Sequence, residues 1–188
     1  MEELKSETHK GIVGVRVIQT NFWRKRVGAF DTGRRQLLKL KKDPEFIAGL
    51  MLYWAEGSKS LGAEITNSDV NLIVFMVSWF EKYFNVSPLD LAVQMHIHSG
   101  QNLLNMRQYW SRATKIPISN FQQHYTKRQG SGHRKKRLYY GTAKIRVRGQ
   151  GSTYLLFQIL GAIAEYNYNV MGVKVDVIQW IRKPRYAE

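Results

Sequence analysis

Two short stretches of the chain alternate so regularly that they limit how it can fold. Across residues 142–148, Lys144, Arg146 and Arg148 fall on one side, while Ala143, Ile145 and Val147 fall on the other. Across residues 89–98, Leu91, Val93, Met95 and Ile97 oppose Gln94, His96 and His98. Successive side chains of a strand point to opposite faces, so both stretches predict strands with one face in a core and one in water. Sheets of this kind need helices on only one side. The expected class is therefore α+β, with helices packed on one face of an antiparallel sheet.

The helices announce themselves by their ends. Asp43-Pro44 predicts a helix start, a capping carboxylate followed by a proline where its missing N–H costs nothing. That helix is expected to run to Glu56 and to stop at Gly57 in a left-handed conformation. Residues 63–66 read as a short strand. Asn67-Ser68-Asp69 then caps a helix over 70–84 that is apolar almost all round, and so is expected to be buried. An amphipathic helix over 102–115 is closed by Pro117, a strand follows over 121–126, another helix spans 151–166, and 173–177 reads as a final strand. In residues 1–42, Ile12, Val13, Val15 and Val17 suggest a strand, and 32–40 suggests a basic helix. The 188 residues divide into a basic extension, 1–42, and a single domain, 43–188.

Charge narrows the function. Lys and Arg number 29 against 14 acids, a net of +15, which points to a polyanionic partner. The sign is not evenly spread: residues 43–90 hold 2 basic and 7 acidic residues, whereas 91–164 hold 12 basic residues and not one Asp or Glu. An ordinary solubilising surface mixes both signs, so the second half reads as a binding face beside an acidic centre. Gln94, His96, His98, Lys144, Arg146 and Arg148 would share one sheet face, able to lie along a nucleic-acid groove. The segment around Lys127, Arg128, Arg134, Lys135, Lys136 and Arg137 would grip phosphates without reading sequence. A charge-protected sheet edge is the plainer account of such a strand. An RNA-binding module also fits, with Tyr125, Tyr139 and Tyr140 available to stack bases.

Other classes find little support. The chain has no cysteine, which excludes a disulfide framework, a thiol nucleophile and a thiolate zinc site. Its opening residues are acidic and do not read as a secretory signal, and its most apolar stretch, 11 residues over 70–80, is short of the roughly 20 needed to span a membrane. A cytoplasmic protein is expected, nucleoid-associated if bacterial, with no membrane partner. No nucleophile elbow or phosphate loop is present, and no small-molecule substrate is expected.

The helix over 44–56 carries the remaining signal. Ala48, Leu52 and Ala55 recur at helical spacing with Gly49 beside them, a seam of small residues on which another helix can pack closely. Glu56 falls at the helix C-terminus, where the dipole disfavours a carboxylate by a few tenths to about 1 kcal/mol. Lys59 or a bound metal can supply the missing cation.

Residues 47–58, and above all Leu52-Tyr53-Trp54-Ala55-Glu56-Gly57-Ser58, resemble the LAGLIDADG motif of homing endonucleases and their relatives. The likeness extends to Asn67-Ser68-Asp69, Gln108-Tyr109-Trp110, residues 117–121 and Tyr140-Gly141-Thr142, covering about 43–165 and looking most like short bacterial single-motif proteins. The resemblance implies a LAGLIDADG-like fold, a saddle-shaped sheet in a DNA major groove, and a homodimer joined through Ala48, Gly49, Leu52 and Ala55. It implies a metal-dependent double-strand DNA endonuclease, with Glu56 and the adjoining Gly57 holding Mg²⁺ or another divalent cation. Lys144 and Lys59 are the cations available to stabilise charge there, though neither matches a family position. Glu56 stands where the family more often has Asp, and Met51 where it often has a small residue. A DNA-binding regulator that does not cut, built on the same scaffold, is the alternative.

Overall fold

The computed structural model describes residues 2–60, 62–127 and 139–173. Its elements run α1 (Glu2–Leu40), α2 (Pro44–Glu56), β1 (Glu64–Asn67), α3 (Val70–Phe84), β2 (Leu91–His98), α4 (Leu103–Thr114), β3 (Tyr125–Lys127), β4 (Thr142–Val147) and α5 (Gly151–Asn169). The α+β class is as expected, and both alternating stretches are strands. The strand expected over 173–177 lies outside the described residues except for Val173.

The chain forms two compact units. One contains residues 40–156, the other residues 1–39 with 157–188. The sequence-based boundary at 42/43 falls close to the first division, whereas α5 begins in one unit and continues in the other.

In the unit of residues 40–156, four strands lie in the order β1-β4-β2-β3. The sheet is mixed rather than antiparallel. β4 pairs antiparallel with β1 and β2, but β2 and β3 are parallel. The reason is in the connections: helices stand between β1 and β2 and between β2 and β3, and a crossover helix returns the chain to the same end of the sheet. β4 then runs back between β1 and β2. Val93 pairs with Ile145, Leu91 with Val147 and Met95 with Ala143, and all six are buried.

Helices α2 and α3 pack on aromatic residues. Asp43 caps α2 by accepting from the backbone N–H of Glu45 (3.0 Å) and Phe46 (3.1 Å), and its second oxygen accepts from the Tyr83 hydroxyl on α3 (2.9 Å). These bonds, the Phe46 N–H foremost, hold the Asp43 carboxyl below the usual carboxylate range. Trp79 is wholly buried and donates its indole N–H to the Phe46 carbonyl (3.2 Å). Gly49 makes room for that indole, since a Cβ there would lie 2.2 Å from it.

In the other unit, α1 is a single helix where a strand over 12–17 was expected. The β-branched residues reduce helix propensity by only a few tenths of a kcal/mol each, and Val13, Val15 and Val17 lie exposed on the helix. The basic helix over 32–40 is its last part. Against it packs the later part of α5, through glycines: a Cβ on Gly33 would meet the Gln158 carbonyl oxygen at 1.7 Å, and one on Gly161 the Phe30 carbonyl oxygen at 2.0 Å. Arg34 donates from Nε to the buried Glu165 carboxylate at 2.6 Å, which also accepts from Asn169.

Candidate nucleic-acid interface

The polar side of the sheet is assembled by register. Gln94 stands opposite Lys144 and His96 opposite Thr142 on the β2–β4 pair, and Glu64 and Thr66 of β1 stand opposite Arg146 and Lys144. Directly paired residues share a face, so Gln94, His96, Lys144 and Arg146 lie together, as expected. His98 continues the row on β2 beside Lys127 of β3. Arg148 follows the end of β4, exposed, with a long 3.5 Å bond to the Asn120 side chain. Arg128, Arg134, Lys135, Lys136 and Arg137 lie outside the described residues.

The sequence pattern did not reveal the acid that flanks this row on the edge strand β1. Glu64 accepts from Lys144 Nζ at 2.8 Å and from Arg146 Nε at 2.9 Å, with its own side chain only 12% exposed. Lys144 is therefore largely committed, whereas Arg146, 45% exposed, keeps its remaining N–H groups for a partner. The signal was present, since Glu64 and Thr66 alternate with Ala63 and Ile65, but its use requires knowing that β1 lies beside β4. Tyr125, named above as able to stack bases, pairs with His96 on this face. Its ring is exposed and sits 5.8 Å from that of His96.

The motif helix α2 divides into two sides. Phe46, Gly49, Leu50 and Tyr53 are buried, while Ala48, Ala55 and Glu56 are exposed and Leu52 is half-buried. The seam of Ala48, Leu52 and Ala55 is thus open to a partner. Gly49 is not part of it, because its missing side chain accommodates Trp79.

At the end of α2, Gly57 is extended (φ −77°, ψ 154°) rather than left-handed. Glycine is required by crowding instead, for a Cβ would lie 2.6 Å from the Tyr53 carbonyl oxygen. Lys59 folds back over this terminus, donating to the Gly57 carbonyl at 2.5 Å and reaching the Tyr53 carbonyl at 3.4 Å. Burial lowers the Lys59 pKa, and the charge of Glu56 works against that shift. Positive charge at a helix C-terminus is favourable, so Lys59 supplies the cation that Glu56 was expected to need.

Divalent metal fits one chain poorly. Among the described residues, no three Asp, Glu or His side chains gather to hold a metal. Glu56 offers one exposed carboxylate, and the Gly57 carbonyl, the other expected ligand, already accepts from Lys59. Mg²⁺ wants near-octahedral oxygen ligands, and a shared site would need a second copy of the chain. Lys144 is held by Glu64 on the sheet at 2.8 Å.

Among the described residues, no helix is long and apolar enough to cross a membrane. No protein-family model, curated protein or solved structure matches this chain.

Proposed function

We propose that this protein binds double-stranded DNA across the polar face of its sheet, as a homodimer joined through the exposed side of α2, on a LAGLIDADG-like scaffold in the cytoplasm. The observation that carries the reading is the row of Gln94, His96, Lys144 and Arg146, brought together in register over a fully apolar underside. Lys144 and Arg146 lie two residues apart on one strand, about 6.6 Å, so they can lie along a backbone of regularly spaced phosphates. The small-residue seam of Ala48, Leu52 and Ala55 supports pairing of two copies.

The catalytic form of this proposal is a metal-dependent double-strand endonuclease hydrolysing phosphodiester bonds, in which the exposed Glu56 of each copy meets its counterpart at the foot of the paired helices. A second reading, a DNA-binding regulator that does not cut, is favoured by Lys59 lying on the Gly57 carbonyl, where an ammonium takes the position a metal would need. Cleavage selection on randomised duplexes, with and without Mg²⁺, separates the two. Mg²⁺-dependent cutting that disappears in Glu56→Gln while DNA affinity persists supports the nuclease. Binding without cutting supports the regulator, and no binding at low salt refutes both.

A further inference from the structure

The sheet face ends beside a cavity that the proposed groove contact does not use. It has a volume of about 260 Å³ and is lined by Gln101, Asn102, Asn105, Met106, Tyr139 and Tyr140. That is slightly below the roughly 300–1,000 Å³ of pockets for drug-sized ligands, a size suited to one small heterocycle. It lies where β2 ends and β4 begins. Gln101 is three residues beyond His98, and Tyr140 is two before Thr142, which pairs with His96.

One side of the cavity is an aromatic ledge. Tyr140 stacks flat on Tyr109, centroids 3.5 Å apart and planes within 3°, and Tyr139 meets Tyr140 edge-on at 4.8 Å. The Tyr139 residue is 80% exposed. Its backbone is nevertheless held: Gln101 Nε2 donates to the Tyr139 carbonyl (3.1 Å), while Gln101 Oε1 accepts from the His98 N–H (2.7 Å). Trp110 donates to the Tyr140 carbonyl (2.9 Å). Gly141 then turns the chain into β4 with φ +66°, where a Cβ would meet the His96 carbonyl oxygen at 2.7 Å. The ledge is thus fixed to the end of the proposed DNA-binding face.

The other side is carboxamide. Asn102 uses its oxygen to cap α4, accepting from the Asn105 N–H at 3.0 Å, which leaves its NH₂ group to donate. Asn105 adds a second amide. Paired donors and acceptors of this kind match the edge of a base, and an aromatic ring matches its face.

Resting on the DNA-binding reading of the sheet, we infer that this cavity receives a single unpaired nucleobase of the bound DNA, stacked on Tyr139 and hydrogen-bonded by Asn102 and Asn105. An unpaired base avoids part of the unstacking cost that a paired one incurs, so the site should favour DNA already disrupted at one position.

The test compares a perfect 20-base-pair duplex with the same duplex carrying one unpaired adenine at its centre, by fluorescence anisotropy at fixed salt. Wild type should bind the bulged duplex about fivefold or more tighter, and Tyr139→Ala should remove that advantage. Loss of one base–aromatic stack corresponds to about five- to 150-fold. Tyr139→Phe should retain the advantage, and neither variant should change affinity for the perfect duplex. Equal affinity of wild type for the two duplexes, or an advantage that survives Tyr139→Ala, overturns the base site while leaving the sheet contact standing. Failure of wild type to bind either duplex at low salt overturns the sheet reading and this inference with it.

Discussion

Replacing Glu64 by Gln tests whether the sheet face is the DNA contact. Glu64 is the acid that ties down Lys144 and Arg146, at 2.8 and 2.9 Å. Glutamine is nearly isosteric and retains an oxygen acceptor, but it removes the negative charge and so releases one or both cations toward a phosphate backbone. Each added phosphate contact steepens the slope of log affinity against log salt by about 0.9. Between 50 and 200 mM salt, the variant should therefore lose about 3.5-fold more affinity than wild type if one cation is released, and about 12-fold more if both are. At 50 mM it should bind more tightly than wild type. Stability should move the other way. Charge-assisted hydrogen bonds contribute about 1.5–3 kcal/mol each, and discounting for the exposure of Lys144 and Arg146 leaves about 1–2 kcal/mol in total, or a fall in Tm of roughly 2–8 °C. Duplex affinity measured across a salt series, with thermal melts of both proteins, checks both effects. A folded Glu64→Gln protein with unchanged slope and no gain in affinity would show that DNA does not meet this side of the sheet.

Three further outcomes follow from the geometry. Gly49→Ala should destabilise the unit of residues 40–156 by about 1–3 kcal/mol, read as a lower urea midpoint, because the new methyl falls on the Trp79 indole. Asp43 has its pKa lowered on folding, so its contribution is fully present above the unfolded value of about 3.9 and is lost as pH falls through the lower folded value; melts of wild type and Asp43→Asn should converge as pH drops below about 4. Ala48→Glu, on the exposed side of α2, should leave the circular dichroism spectrum unchanged and shift sedimentation from dimer to monomer. A protein that is monomeric before the substitution would remove the homodimer from the proposed function.

The features legible in the sequence were those settled within a few residues. The Asp43-Pro44 start of α2, the Asp69 cap of α3 and the facing of Lys144 and Arg146 each depend on local chemistry or on a strict period of two. Pairing between distant strands does not. Nothing local states that β4 enters between β1 and β2, and without that order Glu64 looks like one more acid in an acidic stretch. The parallel pairing of β3 was hidden for the same reason. The alternation of Val13, Val15 and Val17 misled because a long helix carries a few poor formers without breaking. Gly49 was grouped with Ala48 on size alone, whereas only the position of Trp79, thirty residues later, tells which side of α2 it serves.

The glycine contacts between α1 and α5 bear on how the chain is made. Helix α1 leaves the ribosome before its partner and can meet it only once residues beyond 157 have emerged. At about 5–20 residues per second, the roughly 120 intervening residues impose a delay of some 6–24 s. Through that interval Phe30, buried in the finished protein, lacks the Gly161 neighbour that packs on its backbone. Closure of the unit that contains α1 therefore waits for the synthesis of α5, and its glycine contacts cannot guide the early folding of the chain.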